Sequence, residues 1–161
     1  MLAFASVALV VVTRRAGDWG VPYFSFTSAH GSPCTNDLTG YTCTPLTLED
    51  VEFFGDVDLP DDTAVLTSRY RATHDYQLDA RLEAPPASAG TTLKRLNAAY
   101  GACRGGVTPP MLTSGLTRVC VMATDDAAGE TTEELSSRIF VVGTGLRKDG
   151  TRLVGLSIRS R

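Results

Sequence analysis

Residues 138–161 read RIFVVGTGLRKDGTRLVGLSIRSR. Two runs rich in Val, Ile, Leu and Thr, 138–146 and 151–159, flank Arg147-Lys148-Asp149-Gly150. β-Branched and large apolar side chains suit a pleated surface, where they pack against cross-strand neighbours. A glycine directly after an aspartate supplies the positive φ that a tight connection asks for. The stretch predicts a β-hairpin and, with it, antiparallel sheet.

The same period recurs upstream. In residues 76–83 (YQLDARLE), Tyr76, Leu78, Ala80 and Leu82 share one face, and Gln77, Asp79, Arg81 and Glu83 share the other. Strict alternation of this kind marks a half-buried strand. Residues 63–73 (TAVLTSRYRAT) and 116–123 (LTRVCVMA) read as two more strands, with His74-Asp75 as a tight connection. Val51, Phe53, Val57 and Leu59 predict a short strand bulged around Gly55 and ended by the turn Pro60-Asp61-Asp62. One helix is expected. Ser88 or Thr91 can cap it, because a hydroxyl accepts an unpaired first-turn amide. Leu93, Leu96, Tyr100 and Cys103 fall on one stripe of it, and Gly105-Gly106 stop it. Residues 124–137 are polar and acidic and read as a surface excursion. The expectation is an α+β fold: an antiparallel sheet of five to six strands with one packed helix.

Size and composition agree with one such domain. The chain has 161 residues, 43% hydrophobic and 20% charged, with a net charge of −3. This balance excludes a disordered chain and a polytopic membrane protein, and it argues against a nucleic-acid binder. Three segments are expected: 1–16 as a signal anchor or truncated transmembrane or signal segment, 17–47 as an extended segment, and 48–161 as the α+β domain. Leu2 to Val12 (LAFASVALVVV) is too short to span a bilayer but has the length of a signal hydrophobic region. No basic residue precedes it, and Arg14-Arg15 follow it, against the usual charge bias. One reading sets Met1 inside a longer apolar anchor. The other packs an amino-terminal apolar helix on the domain.

The cysteines are Cys34, Cys43, Cys103 and Cys120, with no zinc-type spacing. Sequence-local pairing, Cys34 with Cys43 and Cys103 with Cys120, is the simplest of three connectivities, and an even count behind an apolar leader suggests an oxidising compartment. Four buried thiols in a reducing compartment are the alternative. The first pair would staple the otherwise aperiodic segment 17–47, whose aromatics Trp19, Tyr23, Phe24 and Phe26 dock into the core or form an exposed binding strip.

Charge is uneven. Residues 49–62 hold seven acids and no base, whereas 138–161 hold six bases and one acid. Either the two segments compensate as neighbours, or the basic end faces an anionic partner such as envelope polymer or phospholipid headgroups. The candidate binding surface is therefore Trp19, Tyr23, Phe24, Arg147, Lys148 and Arg152. Catalytic and metal candidates are weak. Asp56, Asp58, Asp61 and Asp62 offer hard oxygens, but Pro60 and Asp61 break the calcium-loop pattern. His74-Asp75 and His30-Gly31-Ser32 lack a nucleophile motif. The glycines of GTGLRKDG join two strands, whereas a phosphate loop opens a helix. No catalytic residue, metal or cofactor is expected.

The stretch DLPDDTAVLTSRYRATHDYQLDARLEAPP, followed by a short helix, resembles uncharacterised actinobacterial envelope proteins that are membrane-anchored or secreted. In these a Leu-Pro-acid turn precedes two strands and a small helix. The resemblance covers residues 48–103 and implies extracytoplasmic placement without a catalytic residue. The leading expectation is an extracytoplasmic binding or structural domain, attached to the membrane through its amino terminus and contacting an unknown protein or envelope polymer, with no nucleic-acid partner. A small envelope hydrolase and a protease-inhibitor-like domain presenting the Cys34–Cys43 loop are the alternatives.

Overall fold

The computed structural model describes residues 24–125, 127–128 and 137–161. The chain order is β1 (Ser25–Thr27), β2 (Pro33–Asn36), β3 (Tyr41–Cys43), α1 (Leu48–Gly55), β4 (Ala64–Ala72), β5 (Tyr76–Ala84), α2 (Ala89–Tyr100), β6 (Thr117–Ala123), β7 (Arg138–Leu146) and β8 (Arg152–Ser160). These eight strands form one antiparallel sheet in the order β1-β2-β3-β4-β5-β8-β7-β6. The α+β class holds. The strand number rises from the expected five to six to eight, because β1, β2 and β3 lie in the segment read as irregular. Strands of three or four residues are too short to display a period. The proposed amino-terminal helix of residues 1–16 lies outside the described residues.

The hairpin forms as its sequence predicts. Leu146 faces Arg152 across it, the Gly150 amide donates to the Arg147 carbonyl, and Gly150 takes φ 87°. The alternation in β5 also holds: Leu78, Ala80, Leu82 and Ala84 are buried, and Gln77, Asp79 and Arg81 are exposed. Their partners on β8, Ile158, Leu156 and Val154, extend the same apolar face. Val51, Leu96 and Tyr100 from the helices belong to this core.

Residues 48–55 are helical, against the expected strand. Thr47 caps α1 by accepting from the Asp50 amide at 3.2 Å, and acids fill the first turn, where the helix dipole favours them. Asp56, in the left-handed conformation, ends it. Val51 and Gly55 are buried on one side while Phe53 is exposed, as a helix requires and a strand does not. The Asp50 side chain is also buried. Its carboxylate accepts from the Ser28 hydroxyl and from the Ser32 amide at 3.2 Å, which ties the β1–β2 turn to α1. Helix α2 begins after Ser88, but the Ser88 hydroxyl donates to the Pro85 carbonyl instead of capping an amide. It stops at Gly101, with φ 87°, not at Gly105-Gly106. The Tyr100 hydroxyl donates to the Gly55 carbonyl at 2.7 Å, joining the two helices.

Both predicted disulfides are present, Cys34–Cys43 and Cys103–Cys120. Cys34 and Cys43 are directly opposite on β2 and β3. Cys103 lies beyond α2, exposed, so the second bond fixes the chain after the helix to β6 and does not pin the helix's buried stripe. From there the chain turns around the edge of β6, where the Arg104 amide donates to the Val121 carbonyl. Residues 105–116 then cross the opposite face of the sheet as a strap. Gly143 and Gly155 face each other there and leave bare backbone. Pro109 sits on Gly143 and Met111 on Gly155, and added methyl carbons would lie 2.8 and 3.0 Å from them.

Candidate functional site

The strap leaves part of this second face open. Residues opposite one another in an antiparallel pair share a face, and residues two apart along a strand stay on it. Pairing therefore stacks three rows across the sheet: Arg71–Gln77–Arg159, Arg69–Asp79–Ser157, and Thr67–Arg81–Gly155. Successive rows lie about 6.6–6.8 Å apart. Arg69, Arg71, Arg81 and Arg159 are all exposed, so four guanidinium groups occupy one face within three rows.

The acids on the face are largely engaged. Asp79 accepts from the Ser157 hydroxyl at 2.8 Å and from the Gln77 amide at 2.7 Å. Glu83 pairs with Arg147 at 2.7 Å. Among the described residues, Arg69, Arg81 and Arg159 have no carboxylate within ion-pair distance. An open cleft of about 500 Å³ ends the face, lined by Arg71, Arg159 and Arg161 with Tyr76, Gln77 and Ser160, and three cationic side chains there outnumber the one carboxylate side chain, Asp75. A smaller depression of about 350 Å³ beside Arg69, Asp79, Arg81 and Pro110 continues it toward the strap. The face is rich in donors and positively charged, and it can accept anionic oxygens over an extended length.

Of the surface expected from sequence, Trp19 and Tyr23 lie outside the described residues. Phe24 is half-buried, its carbonyl accepting from the Asn36 amide at 2.9 Å. Phe26 docks edge-on against Tyr41, with ring centroids 5.5 Å apart, in agreement with the core reading of that aromatic. Arg147 and Lys148 are exposed in the β7–β8 turn. Arg152 is not a surface residue: it is 3% exposed. Its guanidinium donates to the Ala89 carbonyl at 2.6 Å and to the Thr144 hydroxyl at 3.1 Å, and burial lowers its pKa. Alternation carries the signal: Arg152 has the parity of Val154, Leu156 and Ile158, and it falls on the core face opposite Ala84 and Leu146. The four arginines of the open face are not among the residues expected from sequence. Arg69 and Arg71 are two apart in a strand, which is the signal that they share a face. The adjacent β4–β5 hairpin adds Arg81, and the pairing that adds Arg159 is not local.

The acidic segment and the basic end do meet. Arg138 donates to the Gly55 carbonyl, lies 3.5 Å from Asp56 and sits over the Tyr100 ring. Asp58 pairs with Arg95 at 2.7 Å. No three metal-ligating side chains cluster among the described residues. His74 is exposed in the β4–β5 turn. The Cys34–Cys43 hairpin ends in a tight turn in which the Asp37 amide donates to the Gly40 carbonyl at 2.8 Å. The Thr39 amide and hydroxyl hold the Asp37 carboxyl below its ordinary pKa. The two disulfides are consistent with an extracytoplasmic domain. No helix among the described residues is long and apolar enough to cross a membrane.

Compared with known proteins, the chain matches no family model, no curated protein and no solved structure.

Proposed function

We propose that this chain is an extracytoplasmic binding domain that holds an anionic component of the cell envelope against the arginine face of its sheet. The supporting observation is the group Arg69, Arg71, Arg81 and Arg159, exposed together and in excess over the nearby acids, of which Asp79 is taken up by Ser157 and Gln77 and Glu83 by Arg147. Exposed like charges repel one another, and an anionic partner relieves that repulsion. On this reading the domain is not an enzyme, and residues 1–16 attach it to the membrane or direct its secretion.

The test measures binding of the full chain to dextran sulfate and to vesicles containing phosphatidylglycerol at rising salt. Affinity for at least one is expected, falling with ionic strength because exposed charges are screened. Replacing Arg69, Arg81 and Arg159 together by Gln should remove most of it. Binding that ignores both salt and this triple replacement, or no binding to either probe, refutes the proposal.

A further inference from the structure

Resting on that reading, we infer that the anionic partner is a lipid leaflet, entered by Leu112 and Leu66. Leu112, on the strap, is 82% exposed, and Leu66 is 50% exposed. The bulge between Val65 and Thr67 takes Leu66 out of the regular pairing. The two leucines share a recess of about 170 Å³ with Met111 and Leu153, and Arg81 and Arg147 line it too. Arg81 is also the last of the arginine rows, so the apolar recess and the basic field are continuous.

A soluble polyanion would engage the guanidinium groups and leave two leucines in water. A bilayer surface uses both: leucine side chains pass below the headgroups while arginines meet lipid phosphates. The strap is built to hold its leucine in place. Proline rings press on bare glycine backbone, and the Cys103–Cys120 bond closes the loop that contains it. A firmly seated tip loses little conformational freedom when it enters the interface.

The test uses the full chain with vesicles of phosphatidylcholine, with and without phosphatidylglycerol. All variants share residues 1–16, so differences among them report the face. In a Trp19→Phe background, Leu112→Trp should shift its emission to the blue on phosphatidylglycerol vesicles. Leu112→Asp should weaken partitioning tenfold or more. Arg69→Gln and Arg159→Gln should each weaken it about five-fold, the effect of one basic residue at an anionic surface. Urea unfolding of each variant checks that it is folded. An unshifted emission at position 112, or partitioning unchanged by Leu112→Asp, overturns the lipid inference. If dextran sulfate is then still bound through the arginines, the proposed function stands with a polymer as partner. If neither probe is bound, both fall.

Discussion

Replacing Gly143 by alanine is expected to destabilise the domain by about 1–2 kcal/mol, against the usual direction. Glycine to alanine at a compatible position gains about 0.4–1 kcal/mol, because the unfolded chain has less freedom to lose. At 143 the new methyl carbon meets Pro109 Cβ at 2.8 Å and Pro110 Cδ at 3.1 Å. Carbon atoms prefer about 3.5–4.0 Å, so the strap must lift by roughly 1 Å or the strand must bow. Neither neighbour is a flexible tip, and overpacking of this kind costs roughly 1–3 kcal/mol. Gly155→Ala meets Met111 at 3.0 Å from Cβ and 3.3 Å from Sδ. The thioether can swing aside but Cβ cannot, and its 3.0 Å contact is looser than the 2.8 Å at Gly143, so the loss there should be smaller, about 1 kcal/mol. Gly90 has nothing within 4 Å of an added methyl and lies in α2, so Gly90→Ala should gain up to about 1 kcal/mol. The assay is urea unfolding followed by circular dichroism with the disulfides intact. A Gly143→Ala protein as stable as wild type, or as stable as Gly90→Ala, refutes the claim that the strap is pressed onto the sheet.

Asp50→Ala should cost about 3 kcal/mol, because it strips the Ser28 hydroxyl and the Ser32 amide of their acceptor and empties a first-turn acid site. A thermal melt within experimental error of wild type would contradict it. Burial holds the Tyr100 phenol well above its ordinary pKa, with Arg138 opposing. Above the ordinary tyrosine value the unfolded chain therefore releases a proton that the folded one keeps. This contribution is intact below about pH 10 and falls by about 1.4 kcal/mol per pH unit beyond it. Tyr100→Phe should remove that slope in alkaline unfolding titrations, and an identical slope in both proteins would be the adverse result. Replacing Cys103 and Cys120 together by alanine frees a loop with a sequence separation of 17 and should cost about 3 kcal/mol. It should also make residues 105–116 the first site of limited proteolysis, and cleavage elsewhere first would count against the strap's dependence on that bond.

What could be read from the sequence followed the length of each pattern. β5 and the β7–β8 hairpin run for nine residues each, long enough for a period or a turn signal to stand out, and both lie where the sequence puts them. The disulfides were legible because sequence-local pairing was geometrically simple. Helix α1 was not. Val51, Phe53, Val57 and Leu59 suggest alternation, but the deciding signal is Thr47 with Asp50, a polar pair that caps a helix and says nothing about apolar period. The second face was hidden for a different reason. It exists only when β4, β5 and β8 are laid side by side, and β5 and β8 are far apart along the chain. Arg152 is a different case: its charge argues for solvent, but the period it shares with Val154, Leu156 and Ile158 puts it on the core face.

The pairing of β5 with β8 also bears on the order in which the sheet can close. This seam near the middle of the sheet joins the fifth strand to the eighth, so the sheet stays in two parts until β8 has been made. Until then β5 waits with one edge unpaired, and neither meander can bury its apolar face fully. The sheet of such a chain closes last at its most central seam. The two disulfides lie one on each side of that seam, Cys34–Cys43 in the β1–β5 part and Cys103–Cys120 at β6, so each can close within its own part before the parts join.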